Sequence, residues 1–172
     1  MRIIAGAWRG RAIVAPEGTD TRPTSNRARE ALFSMLTSRI GSFEGLKVAD
    51  LFAGSGSLGL EALSRGAAHC TFVETDRDAL EAIKANVAKL DASATVRAGT
   101  AENFHGGAFD LVFADPPYLS GLGHKALQRI TIAPWGWASL ETARGEKVGL
   151  DGFEIDTERK YGKAKITLLR KI

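Results

Sequence analysis

The stretch Asp115-Pro116-Pro117-Tyr118 combines the residue types with the clearest chemistry in this sequence. Its prolines fix φ and remove backbone donors, so the neighbouring carbonyls stay outside local hydrogen bonding. An Asp oxygen and a freed carbonyl can both accept from a flat exocyclic amine, while the Tyr ring stacks on the same heterocycle. The pattern predicts a loop that holds the amino group of a nucleobase. The alternative is a plain strand-ending turn, because Asp-Pro and Pro-Pro pairs mark turns generally.

A second motif upstream favours the chemical interpretation. The apolar run 48–52 leads into the turn Gly54-Ser55-Gly56 and then into a helix-like segment over 60–65. Strand, glycine turn and helix are the parts of a nucleotide-binding crossover, in which the backbone approaches the ligand closely. Glu74 ends the next apolar run about 20 residues later, where a carboxylate can accept both hydroxyls of a ribose.

The same loop discriminates between nucleotide ligands. It has no Lys followed by Ser or Thr, so a triphosphate-binding loop is not expected. Asp50 precedes the glycines, and an anion there repels a pyrophosphate but suits the ammonium group of an amino acid. We therefore expect S-adenosylmethionine in preference to NAD.

Together, Asp50-Leu51-Phe52-Ala53-Gly54-Ser55-Gly56, Glu74 and the Asp115 loop resemble an S-adenosylmethionine-dependent amino-group methyltransferase. The N-terminal block resembles more narrowly the RsmD family, through Arg2-Ile3-Ile4-Ala5-Gly6, Trp8-Arg9-Gly10-Arg11, Arg22-Pro23-Thr24 and Arg27-Ala28-Arg29-Glu30. The likeness runs from residue 2 to the final strand. It implies methyl transfer from S-adenosylmethionine to the exocyclic N2 amine of one guanine in 16S ribosomal RNA, with S-adenosylhomocysteine as the product.

The resemblance also implies roles for single residues. In the stiff catalytic loop Asp115-Pro116-Pro117-Tyr118, Asp115 and the Pro116 carbonyl accept the amine hydrogens, and Tyr118 stacks on an extruded base. Transfer is a single in-line step, in which Asp115 stabilises the charge on nitrogen and takes the proton. The implied cofactor-binding residues are Asp50, Phe52, Gly54, Ser55, Gly56, Leu58, Glu74, Thr100 and Ala101. Thr100 stands where many family members place Asp or Asn to meet the adenine amine.

Basic residues are concentrated at the start of the chain. The net charge is only +3, but the arginines of the first 29 residues face just Glu17 and Asp20. Such asymmetry predicts a polyanionic partner, and Arg with Trp favours RNA, because Arg stacks on bases and grips phosphate bidentately. A solvated charged face is the alternative. The predicted RNA-binding residues are Arg2, Trp8, Arg9, Arg11, Arg22, Arg27 and Arg29. Arg27 and Arg29 lie on a helix next to Glu30, and one or both could pair within the protein instead.

Other chemistries are not expected. Cys70 is the only cysteine, so an internal disulfide is impossible, and we expect its side chain to pack in an apolar strand. His69, His105 and His124 lack ligand spacing, so no metal is expected. No apolar run suits a signal peptide or a membrane span, and we expect a cytoplasmic monomer without membrane contact. Its expected partner is 16S ribosomal RNA, either free or within the 30S subunit or an assembly intermediate.

These residues meet only if the chain forms a wound sheet. Apolar runs at 47–52, 69–74, 94–98 and 110–114 alternate with helical patterns, which predicts parallel strands with crossover helices. Ligands of such sheets bind beyond the carboxyl ends of the strands. Residues 137–141 resemble a weaker fifth strand, and 152–161 with 164–170 an antiparallel hairpin about Gly162. The expected fold is α/β, a Rossmann-like S-adenosylmethionine-dependent methyltransferase with a mostly parallel sheet, a C-terminal antiparallel hairpin and a small N-terminal extension.

The N-terminal extension is predicted to begin with a hairpin over 2–15 around Trp8-Arg9-Gly10. A loop over 16–23 then leads to a helix capped by Thr24 or Ser25. The apolar face of this helix carries Ala28, Leu32, Met35 and Leu36. We expect residues 1–40 to form an RNA-contacting extension and 41–172 the methyltransferase domain. Trp135 and Trp137 are expected to pack in the core.

Two other function classes remain open. A DNA amino-methyltransferase can use the same Asp115 loop, but it usually needs a sizeable target-recognition region, for which we find no room. A non-catalytic RNA-binding module needs only the basic arm, whereas this chain carries intact cofactor and amine motifs. The Lys160-Tyr161-Gly162 turn could touch RNA or be a plain hairpin corner.

Overall fold

The computed structural model describes residues 1–16 and 23–172, and for residues 23–25 it describes the backbone alone. The helices are α1 (Pro23–Ile40), α2 (Ser57–Ser64), α3 (Arg77–Leu90) and α4 (Leu122–Arg129), with a short 3₁₀ helix over Ala101–Asn103. The strands are β1 (Lys47–Leu51), β2 (His69–Glu74), β3 (Ala94–Ala98), β4 (Phe109–Ala114), β5 (Ile132–Ala143), β6 (Phe153–Tyr161) and β7 (Ala164–Lys171).

One seven-stranded sheet organises the molecule, in the order β3-β2-β1-β4-β5-β7-β6. Strands β1 to β5 are parallel, and β7 runs antiparallel between β5 and β6. The predicted α/β fold with a C-terminal antiparallel hairpin is confirmed. Because the parallel strands all end at one edge, the residues that follow β1, β2, β3 and β4 are brought together there.

The two faces of the sheet carry separate hydrophobic clusters. Helices α1, α2 and α3 cover one face, where Phe33, Leu60 and Ile83 pack on Phe72 and Phe113 of the strands. Helix α4 covers the other face, with Leu127 packed among Val112 and Leu140. The central strands β1, β2 and β4 are largely continuous apolar runs because they are buried on both sides.

The sequence predicted the start of α3 correctly but not the start of α1. The Asp76 side chain accepts from the Ala79 backbone N–H at 2.9 Å, which confirms the predicted cap of α3. Helix α1 already begins at Pro23, so it starts ahead of the predicted cap at Thr24 or Ser25. A proline suits the first helical position, since its missing N–H has no partner in the first turn. The predicted loop over 16–23 falls largely outside the described residues.

The N-terminal segment, residues 1–16, packs against α1 and the face of the sheet that α1 covers. An antiparallel bridge joins Arg2 to Ala12, as the predicted hairpin requires. Ile3 and Ile13 are buried in the same cluster as Phe33 of α1. The division into domains at residue 40 stays a prediction, and the hydrophobic cluster that contains Ile3 continues across it.

Strand β5 departs from the sequence expectation. It begins at Ile132 and not at the predicted Trp137. A bulge in the part before Trp137 interrupts the pairing with β4 between Phe109 and Leu111. Trp135 lies in this bulge with φ 66° and is 66% exposed, so the prediction of core packing is wrong for it. The Arg170 guanidinium stacks over its ring at 4.9 Å. Trp137 is half-buried and packs against the core as predicted.

Candidate active site

The glycine-rich loop after β1 is tied to the end of β2 by Glu74. The Gly54 N–H donates to Glu74 Oε1 at 2.8 Å, and the Thr75 and Asp76 N–H groups donate to Oε2 at 2.7 and 2.8 Å. Gly54 and Gly56 have φ of 58° and 82°, in the left-handed region that favours glycine. The carboxylate is therefore held rigidly by backbone donors while its remaining lone pairs can accept ligand hydroxyls.

A pocket of about 750 Å³ opens beside this loop, at the carboxyl edge of the sheet. Its size lies within the range of small-molecule sites. Residues from both predicted motifs line it: Phe52, Val73, Glu74, Thr75, Gly99, Thr100, Ala101, Glu102, Asp115, Pro116, Pro117 and Leu122. The structure thus brings the Glu74 and Asp115 motifs into one cavity. A cationic nucleoside fits this acidic, open pocket.

Asp50 lies beneath the loop and is only 1% exposed. Its Oδ2 accepts from the Gly59 N–H of α2 at 2.9 Å. Burial raises the pKa of Asp50 from its usual 3.8 to about 8; the Gly59 hydrogen bond opposes this and the charge of Glu74 adds to it. The observed contact of Asp50 is with the protein backbone, and its predicted contact with the cofactor stays a prediction.

The other predicted cofactor residues occupy different places. Thr100 lines the large pocket, and its Oγ1 accepts from Asn103 Nδ2 at 2.8 Å. Leu58 lines a second, smaller cavity on the other side of Asp115. The Ser55 carbonyl accepts from Asn86 Nδ2 at 3.1 Å, which connects the loop to α3.

The Asp115 loop leaves β4 where the neighbouring β5 also nears its end. Asp115 is exposed to the pocket and Pro116 is buried. The Ser120 hydroxyl donates to the Pro117 carbonyl at 2.6 Å. Among the described residues, no hydrogen bond is made to the Pro116 carbonyl. This carbonyl and the Asp115 carboxyl are therefore the acceptors that the loop offers to an amine.

Glu141 is the residue of this site that sequence reasoning missed. Ala114 pairs with Leu140 across β4 and β5, so Asp115 and Glu141 follow each other on adjacent parallel strands. The Tyr118 hydroxyl donates to Glu141 Oε2 at 2.8 Å. The signal was available, since Glu141 is the acidic last residue of the predicted fifth strand, at the edge where ligands bind.

The pKa of Asp115 is raised well above its usual range. Crowding by protein atoms desolvates the carboxyl, and the charge and hydrogen bond of Glu141 add to the shift, as does the charge of Asp50. Because Asp115 as a whole is open to the pocket, the neighbouring Glu141 carboxylate is the firmer of these causes.

The predicted RNA-binding residues fall into different settings. Arg9 and Arg27 are exposed, and Trp8 is half-buried against the core. Arg2 Nη1 donates to the Gly10 carbonyl at 2.8 Å, and Arg11 Nη2 donates to a carbonyl of α3 at 3.2 Å; both side chains remain exposed. Arg22 lies outside the described residues.

Arg29 was predicted to contact RNA, but the residue is only 6% exposed. Its Nη2 donates to the Arg2 carbonyl at 2.7 Å, and its Nη1 lies 3.9 Å from Glu61 Oε1. Burial lowers the pKa of Arg29, and the charge of Glu61 opposes that shift. This guanidinium therefore anchors the N-terminal segment to α1, and its predicted contact with RNA stays a prediction.

A buried carboxylate on α2 completes that anchor, and it was not predicted. The fully buried Glu61 accepts from the Ile4 and Ala5 N–H groups at 2.8 and 3.1 Å and from Arg65 Nε at 2.9 Å. These contacts hold the N-terminal segment so that its first residue lies beside the Asp115 loop. Met1 lines the smaller cavity, of about 100 Å³, together with Asp115 and Glu141.

Two further observations concern metal ligands and membrane-spanning helices. Within residues 1–16 and 23–172, no three His, Cys, Asp or Glu side chains are grouped so that they could hold a metal ion. In the same ranges, no helix is long and apolar enough to cross a membrane.

Comparison with known proteins gives concordant matches. The family model described as conserved hypothetical protein 95 matches residues 1–170. Ribosomal RNA small subunit methyltransferase D of Escherichia coli (strain K12) is 41% identical over 139 residues, which cover 78% of this chain and 69% of that protein. A hypothetical protein from Thermus thermophilus superposes with a TM-score of 0.81 at 31% identity and 98% coverage of both chains.

A more distant structure matches in fold alone. Magnesium protoporphyrin IX methyltransferase from Synechocystis PCC 6803, solved with bound S-adenosylmethionine, has a TM-score of 0.69 at 14% identity. The match covers 87% of this chain and 80% of that one.

Proposed function

The chain belongs to the family of conserved hypothetical protein 95, the RsmD family, and from this membership we propose that it methylates the N2 amine of one guanine in 16S ribosomal RNA, with S-adenosylmethionine as the donor. The name of the Escherichia coli relative supports ribosomal RNA of the small subunit as the substrate. The observation that carries the proposal is the position of Asp115. Its carboxyl borders both the large pocket that contains Glu74 and the smaller cavity beside the N-terminal segment.

The large pocket is the proposed cofactor site. When bound there, S-adenosylmethionine supplies an electrophilic methyl group. Glu74 accepts the ribose hydroxyls, because its carboxylate is already fixed by backbone donors. Phe52, Thr100 and Ala101 form the adjoining walls, and Asp50 ties β1 to the first turn of α2 through the Gly59 N–H.

The Asp115 loop is the proposed amine site. The lone pair of a guanine amine is delocalised into the ring, so nitrogen is a poor nucleophile until its hydrogens are held. The Asp115 carboxyl and the Pro116 carbonyl accept those hydrogens, and the Tyr118 ring stacks on the extruded base. Positive charge that develops on the nitrogen is stabilised by Asp115, and the same group receives the departing proton.

The proposal is tested by methyl transfer to defined RNA. The wild-type protein is incubated with labelled S-adenosylmethionine and with 16S ribosomal RNA or 30S particles from cells that lack the protein. We expect label in N2-methylguanosine after nuclease digestion. Comparison of the two substrates distinguishes free RNA from the particle. No label on either, or label in a different nucleoside, contradicts the proposal.

Asp115→Ala tests the proposed catalytic role of Asp115 by comparison with the wild-type protein. We expect the rate of transfer to fall by about 100-fold or more, because the variant loses the group that faces the developing charge. Cofactor affinity measured by calorimetry should stay nearly unchanged, since Glu74 and the glycine loop are intact. Turnover near the wild-type rate would remove Asp115 from the mechanism.

A further inference from the structure

Asp115, Tyr118 and Glu141 form a connected group at the end of β4 and β5. The Tyr118 hydroxyl donates to Glu141 Oε2 at 2.8 Å. The Asp115 carboxyl lies near enough to Glu141 for the Glu141 charge to raise its pKa, in addition to the effect of desolvation. Both carboxyls line the cavity of about 100 Å³ beside the N-terminal segment. Glu141 is half-buried, so its carboxylate touches the catalytic loop on one side and remains reachable by water.

We propose that Glu141 is a positioning residue that fixes the Tyr118 ring and accepts, through Asp115, the proton that leaves the methylated amine. This inference rests on the proposed function, because it concerns how the same site disposes of that proton. It assigns the Tyr118 hydroxyl a role that stacking alone does not need.

The charges around Asp115 explain why a second carboxylate is useful. Asp115 faces Glu141 on β5 and Asp50 on β1, while Arg29 of α1 and Met1 border the same cavity. Desolvation and the charge of Glu141 both raise the pKa of Asp115, because a carboxyl ionises less easily beside another carboxylate. A protonated Asp115 still accepts an amine hydrogen through its carbonyl oxygen, but it is a poor base by itself.

In the proposed relay, each proton and each electron pair has a defined destination. The amine nitrogen uses its lone pair to form the new N–C bond, and the electrons of the broken S–C bond stay on sulfur. A proton on the nitrogen then passes to the carbonyl oxygen of Asp115, while the proton already on Asp115 passes to the Glu141 carboxylate. Glu141 finally releases that proton to water, and the pair returns to its starting state.

The contact between Glu141 and Tyr118 is tested without RNA or cofactor. The chain has two tyrosines, so fluorotyrosine labelling gives two fluorine NMR signals, and Tyr161→Phe assigns them. We expect the Tyr118 signal to shift in Glu141→Ala but to stay near its wild-type position in Glu141→Gln, whose amide oxygen still accepts the hydroxyl. Glu154→Gln on the exposed strand β6 is the control. A Tyr118 signal that ignores Glu141→Ala overturns the positioning role.

The proton role is tested by single-turnover kinetics. Glu141→Gln should lower the single-turnover rate of transfer by about 100-fold, which is within the range for a lost acid–base group. The KM values for RNA and cofactor, measured separately in the steady state, should stay within about twofold of wild type. Glu141→Ala should recover activity as formate is added, whereas chloride at the same ionic strength should have no effect. A Glu141→Gln rate close to wild type, or no recovery with formate, overturns the relay.

The two arms separate failure of this inference from failure of the proposed function. If the wild-type protein transfers no methyl group to ribosomal RNA, the proposed function fails, and the fluorine signals still decide whether Glu141 holds Tyr118.

Discussion

Glu74 is the residue whose surroundings best predict a measurable effect on cofactor binding. Its carboxylate is fixed by three backbone N–H groups at the edge of the large pocket. Glu74→Ala should weaken S-adenosylmethionine binding by roughly 1.5–3 kcal/mol, the range for hydrogen bonds to a charged group. Titration calorimetry measures it, with Glu81→Ala on the exposed side of α3 as the control. Unaltered affinity would contradict the ribose-binding role.

Asp50 predicts a dependence of stability on pH. Its pKa is about 8 in the folded protein and is usually 3.8, so between these values the folded state keeps a proton that the unfolded chain has lost. The stabilising contribution is therefore fully present below the unfolded pKa and is lost as pH rises through the folded pKa. Asp50→Asn lacks this titration. We expect the variant to become more stable relative to wild type as pH increases from 4 to 8.

Thermal unfolding of both proteins across that pH range measures the effect. The cofactor is left out, so that its charge does not interact with Asp50. Other titrating groups are common to the two proteins and cancel in the difference between their midpoints. A difference that stays constant with pH would mean that Asp50 is already ionised in the folded protein.

Residue types predicted which residues line the pocket better than they predicted the contacts between those residues. The positions of Glu74 and Asp115 followed from motif spacing and strand ends, because parallel strands end at one edge. The burial of Arg29 and the pairing of Tyr118 with Glu141 depend on tertiary packing between distant segments. The charge pattern allowed Arg29 either to contact RNA or to pair within the protein, and only tertiary packing shows the internal contacts.

At the scale of elements, the docking of the N-terminal segment depends on Gly6. Its φ is +89°, and a Cβ there would overlap the carbonyl of Ser64 on α2. Gly10 has φ +81° but has nothing within 4 Å of the same position. Both Gly→Ala changes incur about 1–2 kcal/mol from the left-handed backbone, and Gly6→Ala adds the collision.

Comparison of the Gly6→Ala and Gly10→Ala variants therefore separates the effect of the Ser64 contact from the effect of backbone strain. We expect Gly6→Ala to lower the free energy of unfolding more than Gly10→Ala does, and urea denaturation measures both. Limited proteolysis near the N-terminus should also increase in Gly6→Ala alone. Equal losses in the two variants would mean that the segment is free to move away from α2.

Element boundaries were predictable where a single period or cap decides them. Strands β2 and β3 match the apolar runs at 69–74 and 94–98, and α3 begins after its predicted Asp76 cap. The start of β5 was not predictable, because a bulge with a positive φ at Trp135 breaks the alternation that the sequence pattern relies on. The same bulge turns that tryptophan outward.

At the scale of the whole molecule, the start of the N-terminal segment lies beside the Asp115 loop. Glu61 and Arg29 hold the segment against α1 and α2, and Met1 reaches the cavity that contains Asp115. Contact of the exposed arginines Arg2, Arg9 and Arg11 with RNA stays a prediction. Helix α4 lies on the opposite face of the sheet, which provides basic positions away from this surface.

The last prediction uses that asymmetry. Arg9→Ala with Arg11→Ala should fold normally and bind S-adenosylmethionine, because Arg9 is exposed and Arg11 makes only one surface hydrogen bond, to a carbonyl. Each lost phosphate contact should reduce the log–log salt slope of RNA binding by about one unit. The matched control is Lys125→Ala with Arg129→Ala on α4, which should leave the slope unchanged. Filter binding across a salt series measures both, and an unchanged slope in the Arg9 and Arg11 variant would place the RNA elsewhere on the surface.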